Sequence, residues 1–267
     1  MSSIPMSESD QPSVLFCTHH KCASTFISKL LNSLNNIKGL RTIDYEQRLW
    51  EFENSQQMLI RYDSNSTNFF NEVSHILYQD KNFLYGPLRV PINIMYDPRF
   101  TRIIFLRDPR DALVSLYYSI SYSHPFPSNE SQATVQLSND RNLALSQGIN
   151  EFVLDKAIVW LKPILTAYRE IIETSESNVH FFLYEDFIQN PAKIIHNIIN
   201  IIVNQSLPEL IKEILNNEKF IQEKICYGQH QRSGKIGQYH NELHPLTVEK
   251  LNRLFQNELQ FFGWNNY

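Results

Sequence analysis

The chain has 267 residues, of which 42% are hydrophobic and 19% are charged. These values predict one large globular domain or two small ones, and they exclude a generally disordered chain. The formal net charge of −4 excludes a broadly basic surface, so we expect neither nucleic acid nor an anionic membrane as the main partner. An anionic ligand would have to be held by positive charge focused at one place.

The sequence carries no sign of a signal peptide or of a membrane anchor. Residues 1–12 are polar and acidic, which predicts a disordered tail, and no later apolar run reaches transmembrane length. The three cysteines, Cys17, Cys22 and Cys226, form neither a CxxC pair nor a disulfide framework. We therefore expect a reducing compartment. The sequence shows no linker that would split residues 13–267, which predicts a single domain.

The first ordered element is an apolar run at about residues 14–18 that changes into a polar loop. An amphipathic pattern begins at Ser24 and continues to about residue 36, so the sequence predicts a strand, a loop and a helix. Free backbone N–H groups and the positive end of the helix dipole make such a junction an anion site. Lys21 lies in this loop, and Ser24 and Thr25 place two hydroxyls at the helix N-terminus.

Short apolar strands and amphipathic helices alternate along the rest of the chain. The further predicted strands are 83–85, stopped by Gly86-Pro87, then 103–106 and 179–184. The further predicted helices begin at Pro109, at about 150 (through 175, with a kink at Pro163), at Pro191, at Pro208 and at Thr247. Residues 121–148 and 226–245 are predicted to be loops, the first a long mobile one of the kind that often serves as a lid. This alternation predicts an α/β fold with a central parallel sheet and helices on both faces.

Polar residues follow three of the predicted strands. Because ligands of open α/β sheets bind at the carboxyl ends of the strands, these residues should converge. The three clusters are Lys21 with Ser24 and Thr25, the segment from Arg107 to Ser115, and Tyr184-Glu185-Asp186 followed by Asn190-Pro191.

The loop His20-Lys21-Cys22-Ala23-Ser24-Thr25-Phe26 resembles the 5′-phosphosulfate loop of sulfotransferases, whose usual form is Pro-Lys-Ser-Gly-Thr-Thr-Trp. The lysine and the hydroxyl pair agree, while the histidine, cysteine and alanine are departures. The glycines of a Walker A loop are missing. The resemblance implies that the residues from Lys21 to Phe26 bind the donor nucleotide, with Phe26 stacking on the purine. Packing in the core is the alternative for Phe26.

Arg107 and Ser115 have the spacing of the 3′-phosphate motif of the same family, an arginine at a strand end and a serine eight residues later. A guanidinium offers phosphate a bidentate fork, which suits this role. A surface network of arginines with Asp108 and Asp111 is the alternative. The family's Tyr-Glu-Asp strand end implies that Tyr184 contacts the adenine, and core packing is again the alternative.

A fourth segment, Arg232-Ser233-Gly234-Lys235-Ile236-Gly237, resembles the family's Arg-Lys-Gly-x-x-Gly loop near the C-terminus. The resemblance implies that Arg232, Ser233 and Gly234 bind the 3′-phosphate, the last through its N–H. A solvated loop arginine is the alternative. The four motifs occur in the family's order between residues 14 and 239, so the chain resembles the soluble sulfotransferases and their P-loop-NTPase-like fold.

The resemblance implies a reaction and a donor. The donor would be 3′-phosphoadenosine 5′-phosphosulfate, and its sulfuryl group would pass to a hydroxyl or amine of a small-molecule or carbohydrate acceptor. Lys21 would neutralise the charge that develops on the bridging oxygen. By analogy no metal is required, and the sequence shows no metal-ligand spacing.

A general base must remove the proton of the acceptor. Cytosolic members carry a histidine in a Thr-His-Leu-Pro segment, but the matching residues 86–89 contain none. Carbohydrate-acting members use a carboxylate shortly after the first helix, which implies Asp44 or Glu46 here. Ordinary surface charge is the alternative for both, and His20 and His75 are further candidates.

Two other functions are compatible with the same fold. One is a kinase-like phosphoryl transferase, which the missing Walker A glycines disfavour. The other is a non-catalytic nucleotide-binding protein, which the missing Thr-His-Leu-Pro histidine leaves open.

Overall fold

The structure, a computed structural model, describes residues 11–48, 64–124, 126, 132–175, 177–217 and 234–266. At its centre are the strands β1 Val14–Cys17, β2 Arg41–Ile43, β3 Phe83–Leu88, β4 Thr101–Leu106 and β5 Val179–Leu183. They form a five-stranded sheet in the order β2-β3-β1-β4-β5, and every neighbouring pair is parallel. The strand order reverses at β1, which lies between β3 and β4.

The α-helices are α1 Ser24–Ser33, α2 Ser64–Leu77, α3 Pro109–Tyr118, α4 Gln132–Lys156, α5 Lys162–Thr174, α6 Tyr184–Gln189, α7 Pro191–Val203, α8 Pro208–Asn217, α9 Tyr239–Glu242, α10 Pro245–Leu254 and α11 Gln256–Phe262. Helical turns of 3₁₀ type occur at Ile37–Gly39, Asn93–Tyr96 and Trp264–Asn266. Among the described residues, no helix is both long enough and apolar enough to cross a bilayer.

Helices cover both faces of the sheet. Successive strand residues point to opposite faces, so Val14 and Phe16 of β1 pack in one core while Leu15 and Cys17 pack in the other. The first core joins the sheet to α1, α7 and α8, and the second joins it to α3, α4, α5 and α11. The predicted α/β class, with a parallel sheet between two helical layers, is confirmed.

The predicted stop of the second strand at Gly86-Pro87 is wrong, because β3 continues through both residues to Leu88. Gly86 has a φ of +131°, and a Cβ at this position would lie 2.5 Å from the carbonyl oxygen of Phe16. The register against β1 shifts at the same place. Proline has no N–H to donate to the ladder of hydrogen bonds. The register shift accommodates Pro87, so the strand does not end there.

The predicted mobile loop over residues 121–148 is also wrong over most of its length. A π-helical turn covers Ser119–Ser123, and α4 begins at Gln132 and is interrupted by Gly148, whose φ is +70°. The polar composition suggested a loop, but it belongs to a helix whose Ala144 is fully buried in the core. Residues 125 and 127–131 of the predicted loop lie outside the described residues.

The long helix predicted at 150–175 is present with the expected irregularity. A π-helical turn at Ala157–Leu161 comes just before Pro163, which occupies the first turn of α5. The last predicted helix is divided into α10 and α11 at Phe255. The sequence did not predict β2, which is three residues long and lies at the edge of the sheet.

The ordered part of the chain begins before residue 13. The backbone N–H of Gln11 donates to the side chain of Asn82, and Pro12 forms a β-bridge with Lys81. The predicted tail therefore does not include residues 11 and 12, and its first ten residues lie outside the described part of the chain.

Gly86→Ala should destabilise the fold strongly, by about 3 kcal/mol or more, because the new methyl group meets a backbone oxygen. Gly39→Ala is the matched control, since Gly39 also has a positive φ but no heavy atom within 4 Å of its Cβ position. We expect it to cost only about 1 kcal/mol of backbone strain. Urea unfolding measures both, and equal losses would contradict the steric explanation.

Candidate active site

The loop after β1 and the start of α1 lie at the carboxyl edge of the sheet. Lys21 and Ala23 adopt positive φ values of 67° and 53°. Ala23 is the N-cap of α1, and no side chain caps the helix within the described residues. The N–H groups of Ser24 and Thr25 are therefore not used by a cap, and such groups at a helix N-terminus are suited to an anion.

Arg107 joins three segments at this edge. Its Nη1 donates to the carbonyl oxygen of Lys21 at 3.1 Å, and its Nη2 donates to that of Lys235 at 3.2 Å. Its guanidinium carbon lies 4.5 Å from the ring centroid of Tyr184, whose hydroxyl donates to the carbonyl oxygen of Gly234 at 2.8 Å. Because β1, β4 and β5 are neighbours in the sheet, the residues that follow them meet where the strand order reverses.

The two cations of this site lie in a desolvated place. Burial and the neighbouring Arg107 guanidinium together lower the pKa of Lys21 to about 8. Within the described ranges, the Lys21 ammonium has no ion pair, and the buried Nε of Arg107 has no hydrogen-bond partner. An anion placed between the two groups would offset their repulsion and use these free donors.

His19 connects the same two segments from inside the protein. Its Nδ1 lies 2.8 Å from the carbonyl oxygen of His20, and the backbone N–H of Arg107 donates to its Nε2 at 3.1 Å. The ring is fully buried, and burial lowers the pKa of His19 to about 4. The imidazole is therefore neutral at physiological pH.

Asp111 holds the segment from Gly234 to Tyr239 against α3. Its Oδ2 accepts from the N–H of Gly237 at 2.7 Å, and its Oδ1 accepts from the N–H of Tyr239 at 3.1 Å. Ser115 is half-buried one helical turn further along α3, so it lies on the face that this segment covers. The eight-residue spacing from Arg107 thus brings Ser115 to the same side of the site.

The acidic residues around Arg107 do not form the surface network that was the alternative reading. Asp108 is buried, caps α3 through the N–H of Arg110 and forms a bidentate ion pair with the Arg110 guanidinium. Glu185 accepts from the N–H of Asp108 and from the indole of Trp264. Burial raises the pKa of Glu185 to about 7. These carboxylates fix the backbone around the site.

The two candidate bases differ in their surroundings. Asp44 accepts from the N–H of Gln47 at 2.9 Å and so caps a helical turn at residues 45–48. Glu46 accepts from the N–H and from the Nη1 of Arg89, at 2.6 and 2.8 Å. Its carboxyl is 16% exposed, and burial raises its pKa although Arg89 opposes the shift. Glu46 is thus a partly desolvated carboxylate at the carboxyl end of β2.

Several residues predicted to bind the nucleotide have buried side chains. Cys22 is fully buried, and its thiol donates to the carbonyl oxygen of Phe105. The ring of Phe26 is 9% exposed and lies 5.0 Å from the ring of Phe187. Tyr184 is 3% exposed, and Arg107 covers its ring. Cys22 therefore offers a ligand only its backbone, and the two rings belong largely to the core.

The remaining predicted residues are only partly described. Gly234 is in place, with a φ of +59° and its carbonyl oxygen bonded to Tyr184. Arg232 and Ser233 lie outside the described residues. Sequence reasoning missed His19 and Asp111 as parts of the site. A histidine two residues before the loop lysine and an aspartate one turn after Arg107 were the signals that could have revealed them.

A family model described as "Sulfotransferase domain" matches residues 11–263. The chain therefore belongs to the sulfotransferase family, and the resemblance based on the four motifs is confirmed. The expectation that the chain is an enzyme of this family is confirmed with it. A comparison with curated protein sequences finds no significant match.

Solved structures agree with this assignment. The mouse sulfotransferase SULT7A1 complexed with PAP matches with a TM-score of 0.55 at 13% identity, over 92% of this chain and 84% of that one. Retinol dehydratase in complex with androsterone and the inactive cofactor PAP matches with a TM-score of 0.51 at 15% identity, over 92% of this chain and 80% of that one. At such low identity these matches show a shared fold.

Asp111→Asn should loosen the segment at 237–239, because an amide offers one acceptor where the carboxylate offers two. Losing one hydrogen bond to a charged group costs about 1.5 kcal/mol or more, so amide exchange of Gly237 or Tyr239 should accelerate about tenfold. Hydrogen-exchange mass spectrometry measures this change. Asp140→Asn, on an exposed face of α4, should leave the segment unchanged, and unaltered exchange in Asp111→Asn would contradict the assignment.

Proposed function

We propose that this chain transfers a sulfuryl group from 3′-phosphoadenosine 5′-phosphosulfate to a hydroxyl or amine of a small-molecule or carbohydrate acceptor. The main support is the convergence of Lys21, the uncapped start of α1 and Arg107 at one place on the sheet edge. The proposal includes a cytoplasmic location and a single domain over residues 13–267.

The residues present fit a ligand with two separate anionic ends. The loop from Lys21 to Thr25 offers an ammonium, backbone N–H groups and two hydroxyls to the 5′ end. Arg107 has a buried Nε that finds no hydrogen-bond partner among the described residues, and together with Ser115 and the Gly234 N–H it would hold the 3′-phosphate. Both structural neighbours named above contain PAP, which is the product this donor would leave.

The remaining predicted contacts are part of the same proposal. Arg232 and Ser233, which come directly before Gly234 in the sequence, would bind the 3′-phosphate. Cys22 and Ala23 would contribute their backbone N–H groups. The exposed edges of Phe26 and Tyr184 would border the adenine, since their faces are occupied within the protein.

The donor supplies an activated sulfuryl group, and the role of the protein is to position it and to stabilise charge. Lys21 stands at the helix start, where its ammonium would neutralise the charge left on the bridging oxygen. A pKa near 8 keeps Lys21 mostly protonated at neutral pH. The αL conformation at Lys21 and Ala23 directs the loop backbone toward the same anion.

Glu46 is the better supported of the two candidate bases. Its raised pKa makes it a stronger base than an exposed glutamate, and Arg89 fixes both of its oxygens. Asp44 would then not take the proton itself. It would position Glu46, because it caps the helical turn on which Glu46 lies. His20 and His75 are the remaining candidates for this proton transfer.

A thermal shift assay with adenosine 3′,5′-bisphosphate and with ATP tests the proposal against a kinase-like transferase. We expect the bisphosphate to raise the melting temperature more than ATP does, because a ligand stabilises the state that it binds. A larger shift with ATP would favour phosphoryl transfer. Bisphosphate binding without turnover of labelled donor across an acceptor screen would favour a non-catalytic protein.

Lys21→Met should reduce kcat/KM for sulfuryl transfer by about 10²- to 10³-fold, because it removes a charge aimed at the developing oxyanion. Lys29→Met is the matched control, since Lys29 is an exposed lysine of α1, the helix that follows the loop. Transfer of labelled sulfuryl groups measures both variants. Full activity in Lys21→Met would reject the role assigned to Lys21.

The affinity for the bisphosphate should fall as the pH rises through about 8. The free Lys21 ammonium loses its proton near this pH, and the anionic ligand binds the protonated form better, so deprotonation opposes binding. Isothermal titration calorimetry between pH 6.5 and 9.5 measures the effect. Lys21→Arg should remove it, because arginine stays charged throughout this range, and an unchanged fall in that variant would assign the titration to another group.

A further inference from the structure

We propose that His19 is a positioning residue that sets the spacing between the two anion-binding arms of the site. The first arm is the loop from Lys21 to Thr25, and the second is the segment that begins at Arg107. This inference rests on the proposed function, because the spacing matters for a nucleoside that carries an anionic group at both ends.

The hydrogen bonds of the imidazole define its tautomer. Both ring nitrogens face a carbonyl oxygen, Nδ1 that of His20 at 2.8 Å and Nε2 that of Arg107 at 3.2 Å. The shorter contact is the better hydrogen bond, so we assign the proton of the neutral ring to Nδ1. Nε2 is then the acceptor, and it receives the backbone N–H of Arg107 at 3.1 Å. The neutral ring thus spans two backbone segments that are 88 residues apart in the chain.

The hydrogen bond between His19 and Arg107 uses the backbone N–H of Arg107. It therefore does not compete with a ligand for the guanidinium. The other direct link between the arms is the bond from the Arg107 guanidinium to the carbonyl oxygen of Lys21. That guanidinium must also serve the 3′-phosphate, so ligand binding can alter its direction. His19 is fully buried and makes its two bonds to main-chain atoms, so it can hold the arms whether or not the site is filled.

Ordinary core packing does not account for this side chain. An apolar residue of similar volume would leave the buried N–H of Arg107 without an acceptor, at a cost of an unsatisfied donor. The loss of affinity would be largest for a ligand that contacts both arms. A displacement of one arm by about 1 Å relative to the other weakens contacts that depend on fixed geometry. A ligand that uses one arm alone should be nearly indifferent to the spacing.

His19→Gln and His19→Asn form a matched pair that separates these effects. The longer glutamine side chain can bring its Oε1 to the position of Nε2 and accept from Arg107, whereas the shorter asparagine reaches only the position of Nδ1. We would measure the Kd of adenosine 3′,5′-bisphosphate and of adenosine 3′-monophosphate by calorimetry for the wild-type chain and for both variants. Melting temperatures without ligand control for folding.

The asparagine variant should lose about tenfold in affinity for the bisphosphate, as expected for one hydrogen bond, and less than about threefold for the monophosphate. The glutamine variant should stay within about threefold of wild type for both ligands. Equal losses for the two ligands, or wild-type binding in the asparagine variant, would overturn the role of His19. If the wild-type chain does not bind the bisphosphate, the proposed function fails and this inference fails with it.

A measurement on the unaltered chain keeps the inference testable if the asparagine variant does not fold. The ¹⁵N shifts of the His19 ring report its tautomer, and the signals are assigned by their loss in His19→Gln. We expect a neutral ring protonated at Nδ1, both alone and with the bisphosphate bound. A ring protonated at Nε2 in either state cannot accept from Arg107 and would overturn the inference.

Discussion

The site depends on two cations that are kept close together away from bulk water. Arg107 and Lys21 repel each other, and burial adds to the cost, as the lowered pKa of Lys21 shows. Other contacts of the Arg107 guanidinium offset this cost. It donates to the carbonyl oxygens of Lys21 and Lys235, and it packs over the ring of Tyr184. A bound anion would relieve the repulsion, so the unfavourable electrostatics of the empty arrangement favour binding.

A chain with a net charge of −4 can hold such a site because its nearby carboxylates are already occupied. Both oxygens of Asp111 accept backbone N–H groups, Asp108 is paired with Arg110, and Glu185 accepts from Asp108 and Trp264. Their charge lowers the cost of burying Arg107, while their oxygens already accept from backbone N–H groups and from the side chains of Arg110 and Trp264. They therefore hold the loops around the site without competing for the ligand's place.

In the proposed reaction, the base that serves the acceptor would come from the other half of the sheet. Glu46 follows β2 and Arg89 follows β3, and their ion pair closes the edge that continues from the loop after β1. A base there is tuned by two opposing effects, since burial raises the pKa of Glu46 and Arg89 lowers it. In the proposed reaction, the groups that bind the donor and the base that serves the acceptor would lie on opposite sides of the point where the strand order reverses.

The sequence by itself determined the class of fold, most helices and the strand ends that carry Lys21, Arg107 and Tyr184, because periodicity and chemistry at strand ends are local properties. It also suggested Glu46, although with Asp44 as an equal. Tertiary structure alone decided the rest: that β3 passes through Gly86-Pro87, that residues from Gln132 to Gln147 are helical, and that His19 and Asp111 join distant segments. These features depend on contacts between residues far apart in the chain, such as the Arg107 N–H that makes His19 an acceptor, and local patterns carry no information about such partners.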